Sequence, residues 1–150
     1  MRIAVLSLLL SLTPASPADP STALETQVLQ QVNRERQSRG LPPLRQDPQL
    51  TKLARQHSRN MADRRFFSHD DPTQGDVGDR LKSAGIPWTA CAENIYRASA
   101  TPDPAPAAVR AWMKSPGHRA NLLGKNYTRT GIGIDNRRAF LITQIFLAED

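Results

Sequence analysis

The sequence predicts an α+β fold, with helices flanking a small antiparallel sheet, and three observations carry that prediction. Helical apolar periods come early and strand-like alternation comes mostly late. The last stretch, Ala139 to Leu147, sets Phe140, Ile142 and Phe146 on one face and Leu141, Ile145 and Leu147 on the other. A strand apolar on both faces needs cover on both. Finally, 150 residues with no internal repeat and no linker make one domain, long enough to build a core without disulfide or metal staples.

The elements follow in order. Met1 and Arg2 precede an apolar run, Ile3 to Leu12, and Ser16, Pro17 and Ala18 supply small residues for cleavage; residues 1–18 are expected to be a signal peptide and 19–150 the folded domain. The run is too short to span a bilayer permanently, and no second apolar stretch or transmembrane segment follows. Thr22 and Glu25 have capping-box spacing, Leu24, Val28 and Val32 continue a helix, and Gly40 ends it. Leu41-Pro-Pro-Leu44 is a stiff connector with two apolar anchors. Asp47-Pro48 caps a second helix, whose stripe is Leu50, Leu53, Ala54, His57 and Met61 and which Phe66 and Phe67 close. A turn-rich loop, 68–72, leads to a short helix from Asp76 to Ala84, stopped by Gly85. Trp88 to Arg97 reads as extended, and Ala98 to Pro106, with three prolines, as an exposed loop. Asp103-Pro104 caps a fourth helix carrying Val109, Trp112 and Met113; Ser115-Pro116 opens a very short fifth, ended by Gly124. Ile132 and Ile134 alternate with glycines in a strand, Asp135 to Arg138 turns, and the final strand follows.

Composition narrows the function. The formal charge of +6 suits anionic partners such as envelope polymers or an anionic envelope surface, but the arginines are spread along the chain rather than gathered in one tract, which favours a plain solvated surface. Nucleic acid is disfavoured by the export signal and by an aromatic content of 5%, which leaves little to stack on bases. The single cysteine, Cys91, excludes an intrachain disulfide even in an oxidising compartment, so packing alone must hold the domain; Cys91 reads as a small core residue.

The three histidines are not equivalent. His57 lies on the apolar stripe of the second helix and reads as a hydrogen-bonded core residue. His69 sits in a loop beside Asp70 and Asp71. His118 falls at the third position of the fifth helix, where the partial positive charge of the helix end favours the neutral, metal-binding imidazole. By themselves His69 and His118, 49 residues apart with Glu93 between them, are weak signals of a shared site, since such sets occur by chance in many proteins.

The residues around these positions resemble a known family. Phe67-Ser-His69, Ala92-Glu-Asn-Ile95 and Ser115-Pro-Gly-His-Arg-Ala-Asn-Leu122, in that order, are similar to the signature segments of the CAP superfamily (cysteine-rich secretory proteins, antigen 5 and pathogenesis-related 1 proteins; SCP-like domains). His57-Ser58, Met61, Trp112, Gly131-Ile-Gly-Ile134 and Thr143-Gln144 fit the same pattern. The similarity runs from about Leu24 to Phe146 and is most specific from Trp112 to Leu123, typical of the short bacterial branch. It implies a three-layer α/β/α sandwich and a surface cleft holding two histidines and two glutamates. His69 and His118 match the two histidines, which can ligate a divalent metal, often zinc, and Glu93 matches one glutamate. At the position of the second glutamate stands Ser115, so the acid–base tetrad is incomplete. Ala92 replaces a glycine the family prefers, and the disulfides of eukaryotic members are absent.

Three readings of function follow. The first is an exported binding module whose cleft holds a divalent metal such as zinc together with a lipid, cell-wall or peptide ligand. The second is a metal-dependent hydrolase using His69 and His118, with Glu93 as general base. Neither H-E-x-x-H nor G-x-S-x-G occurs, and Ser68 adjoins His69 in the chain, where side chains rarely face one another. The third is a non-catalytic envelope scaffold.

Overall fold

Proline at the first position of a helix gives up an N–H that would have no partner there, and an aspartate before it accepts from the donors that follow. Three helices of this chain start on an Asp-Pro pair. In the computed structural model, which describes residues 19–149, α1 (Pro20–Gln37), α2 (Pro48–Arg64) and α4 (Pro104–Lys114) all begin this way. The segment expected to be a signal peptide, residues 1–18, lies outside the described residues. Asp19 accepts from the Ser21 N–H and Asp47 from those of Gln49 and Leu50, while Asp103 makes no such bond. The Thr22–Glu25 capping box therefore does not form. Asp19 caps α1 one turn earlier, and the buried Glu25 carboxylate instead takes the Arg55 guanidinium at 2.5 Å. The proline-rich loop is also shorter than expected, because Pro104 and Ala105 are already buried in α4.

Two short helices, α3 (Val77–Ser83) and α5 (Pro116–Leu122), complete the helical set. The strands are β1 (Arg45–Gln46), β2 (Ala90–Ala98), β3 (Arg129–Asp135) and β4 (Phe140–Ala148), in sheet order β1-β3-β4-β2. The sheet is antiparallel except at one edge, where β1 runs parallel to β3 for two residues. That edge pair comes from the Pro-Pro connector. Asn33 on α1 bonds both backbone polar groups of Leu44, at 2.8 and 3.1 Å, and so delivers the next residues alongside β3.

The result is an α/β/α sandwich. On one face, Val28, Val32, Val109 and Trp112 cover Ile132, Ile142 and Phe146; on the other, Leu50, Ala54, Leu81 and Ile86 cover Ile145 and Leu147. The two-sided apolar pattern of the last strand thus matches its cover. Fully burying side chains of this size contributes roughly 2–3 kcal/mol each. Helix α2 rests directly on the glycine face of β3: a Cβ on Gly131 would lie 2.1 Å from Leu50 C, and one on Gly133 2.0 Å from Arg55 N. The Ser58 hydroxyl fastens this contact, bonding Gly133 O at 2.9 Å and Thr143 Oγ1 at 2.8 Å.

Arg36 anchors the opposite layer. It is 1% exposed, and its guanidinium donates to the carbonyls of Pro42, Leu122, Gly124 and Tyr127 rather than to a carboxylate. These bonds cap the end of α5 from α1 and hold in place the helix that carries His118.

Candidate functional site

Five elements converge at the candidate site. Strand β2 supplies Glu93, α2 supplies His57, the loop after α2 supplies His69, α3 supplies Arg80 and α5 supplies His118. Glu93 is buried, and both its carboxylate oxygens are engaged. Oε1 accepts from His69 Nδ1–H at 3.0 Å, and Oε2 accepts from Arg80 at 2.7 Å. The Arg80–Glu93 pair is removed from water, with both side chains 2% exposed. Arg80 also donates to the carbonyls of His69 and Asp76, tying the loop and α3 to the strand.

His57 is fully buried, as its place on the apolar stripe predicts. Its Nε2 lies 3.0 Å from Ser68 O, so that nitrogen carries the proton and donates. The same nitrogen is 3.7 Å from Glu93 Oε1, which places a third histidine behind the pair expected from the sequence. Burial, the dominant effect, pushes the His57 imidazole below its ordinary pKa.

His118 Nδ1 lies 2.9 Å from Ser115 Oγ. Ser115 precedes α5 but its side chain makes no capping bond; it orients the histidine instead. Asn94, from the strand, donates to His118 O at 3.0 Å, and Asn121 donates to both Asn94 Oδ1 and Glu93 O, fastening α5 to β2. The His69 and His118 rings face across the cleft with centroids 6.4 Å apart and a 42° tilt. Both Nδ1 atoms are committed, to Glu93 and to Ser115, which leaves each Nε2 without a hydrogen-bond partner among the described residues.

The two rings are pushed in opposite directions. The Glu93 hydrogen bond raises the pKa of His69 against its burial, whereas burial and then the neighbouring His69 charge lower that of His118. The neutral imidazole expected at His118 therefore has causes other than the helix end. The signs have opposite consequences for stability. His69, raised, stabilises the fold below its unfolded pKa of about 6.5, and that contribution fades as pH climbs through its folded value. His118, lowered, destabilises the fold as pH falls from about 6.5 toward its folded value. In EDTA-treated protein, histidine NMR titration is expected to show His69 protonating above, and His118 below, a free histidine. Indistinguishable midpoints would contradict this geometry.

An open groove of about 390 Å³ runs from His69 and Glu93 past Cys91 and Asn121 to Asp76 and Trp88, whose indole is 43% exposed. Cys91 is half-buried rather than in the core; it packs against the cluster around Leu50, and burial pushes its thiol pKa up, away from the reactive thiolate. Among the described residues, no acid takes the place of the second family glutamate. Asp70 is exposed, and the buried Asp71 organises its loop through Asn60, Arg64 and the Thr73 N–H. Among the described residues, no three His, Cys, Asp or Glu side chains converge as a metal site. His69 and His118 could offer two imidazoles to a divalent ion, with Glu93 orienting one of them, one ligand short of the three that an open site usually has and two short of a closed centre.

The comparisons agree with this architecture. The model of the CAP, or Cysteine-rich secretory protein, family matches residues 29–146. The chain belongs to the CAP family. It is 42% identical over 121 residues to the protein YkwD of Bacillus subtilis (strain 168), covering 81% of this chain and 46% of that protein. Among solved structures it resembles an extracellular SCP-domain protein of Bacillus anthracis, with 33% identity and a TM-score of 0.78 over 90% of this chain and 45% of that one. An outer surface protein of Borrelia burgdorferi has the same fold, with a TM-score of 0.77 at 15% identity over 88% of this chain and 97% of that one. This CAP chain thus spans less than half the length of the two Bacillus relatives. Arg80, buried against Glu93, and Trp88, on the groove rim, are site residues that spacing did not reveal; His57 was legible as buried but not as a neighbour of Glu93.

Proposed function

We propose that this CAP domain is an exported ligand-binding module in which His69 and His118 hold a divalent ion such as zinc within a cleft for a cell-wall fragment or peptide. One observation carries the reading: two imidazoles 6.4 Å apart, each held at Nδ1, with both Nε2 atoms uncommitted. Ligating histidines are commonly oriented in this way, by a partner on the other ring nitrogen. A bound ion would supply a Lewis-acidic point with open positions, which a carboxylate, phosphate or hydroxyl of the ligand would help fill. The mixed polar and apolar groove supports a wall fragment or peptide over a lipid, whose chain needs an apolar trough. Export rests on the apolar run at Ile3 to Leu12 and on the relative described as extracellular.

The hydrolase reading has less support. A general base needs a free oxygen facing the water it deprotonates, and Glu93 spends one oxygen on His69 and the other on Arg80. Glu93 acts here as a positioning residue. The test is zinc calorimetry on the purified protein. We expect binding of about one equivalent, weakened at least tenfold in His69→Ala/His118→Ala with the fold retained. Equal affinity in both would remove the metal and leave a metal-free cleft or an envelope scaffold.

A further inference from the structure

On the outer face of α2, away from the histidines, lies a second concavity of about 560 Å³ between that helix and β1. Its lining includes Lys52, Arg55 and Arg59 with Gln46, Gln56 and Thr51, and no carboxylate. The three cations stand at i, i+3 and i+7, a single row along the helix about 10 Å long. All three are exposed.

The surrounding acids neutralise one member of the row, Arg55, and leave the other two. Glu25 is buried against Arg55, Asp47 and Glu149 both pair with Arg129, and Asp63 and Asp135 both pair with Arg137. Asp19 caps α1 at the Ser21 N–H and its charge also acts on Arg55. Lys52 and Arg59, about 10 Å apart along the helix, have no ion-pair partner among the described residues, whereas Arg55 is bound to both oxygens of Glu25. The amides of Gln46 and Gln56 add uncharged hydrogen-bonding groups. Cations in a row with neutral hydrogen-bonding groups between them complement an extended chain of anions.

We propose that this groove binds a linear, phosphate-bearing polymer, separately from the histidine cleft. Its shape and lining select that partner. A bilayer presents a broad surface that meets convex cationic faces and inserted apolar side chains, and this lining is concave with no large apolar side chain. A single-stranded nucleic acid binds through stacked bases as well as phosphates, and no aromatic residue lines the groove.

The experiment is binding of inorganic polyphosphate to the whole protein, by fluorescence polarisation at about 50 and about 200 mM salt. Lys52→Gln/Arg59→Gln should weaken binding on the order of tenfold at the lower salt and flatten the salt dependence by about two contacts. A control, Lys114→Gln/Lys125→Gln, removes the same charge from exposed sites elsewhere and should bind nearly as the wild type does. Equal losses in both variants would overturn the groove, leaving only net charge. Phosphatidylglycerol vesicles form the second arm: groove-dependent binding to vesicles without groove-dependent binding to polyphosphate would overturn the polymer in favour of a membrane. Circular dichroism of both variants should match the wild type, since all four side chains are exposed.

Discussion

Gly133→Ala is expected to cost about 3 kcal/mol or more, a large share of the roughly 5–15 kcal/mol that holds a typical domain folded. The new methyl would sit 2.0 Å from Arg55 N and 2.2 Å from Ala54 C. Both are backbone atoms inside a helix, so no side chain can swing aside; α2 itself must lift from the sheet. Lifting it would stretch the Ser58 bonds to Gly133 and Thr143 and open the apolar layer beneath Leu50 and Ala54. Gly117→Ala is the matched control, because a Cβ there meets nothing within 4 Å and its helical backbone suits alanine. Urea unfolding of the two variants should separate them clearly. A Gly133→Ala midpoint close to that of the control would show that α2 does not rest on β3 as described.

The second large effect is expected at Glu93→Gln. The substitution keeps shape and removes charge, leaving the Arg80 guanidinium buried without its counter-ion. Removing one partner of a buried pair typically costs about 3–5 kcal/mol, most of it the penalty of the stranded charge. Because that penalty belongs to Arg80, adding Arg80→Met should recover much of it, and the double-mutant cycle should show strong coupling. A second readout separates positioning from bulk stability: without Glu93, the His69 midpoint should fall toward or below that of a free histidine, since the bond that raises it is gone. Zinc affinity should weaken while His118 keeps its low midpoint. An unchanged His69 titration would falsify the positioning role of Glu93, whatever the stability change.

Much of the scaffold was legible because it is written in local chemistry. Proline-led helix starts, the apolar stripe of α2 and the two-sided last strand each state their structure over a few neighbouring residues. The same holds for His69, Glu93 and His118, which stand out through motif resemblance, although nothing between them in the chain says that they meet. The misread helix start shows where local reasoning stops. Thr22 and Glu25 satisfy a capping rule, yet Asp19-Pro20 caps the helix first and Glu25 is drawn inward by Arg55, 30 residues away.

By itself, then, the sequence determined the layers, their order and the three side chains around which the cleft is built. Tertiary structure alone decided what those side chains can do. Burial beside Arg80 commits both oxygens of Glu93, the meeting of α5 with β2 brings two imidazoles within 6.4 Å, and the docking of α1 on α2 takes Arg55 for Glu25 while leaving Lys52 and Arg59 without ion-pair partners among the described residues. The reason is physical: helix and strand periods are set by neighbours a few residues apart, whereas pairing, desolvation and proton affinity depend on groups that only folding brings together.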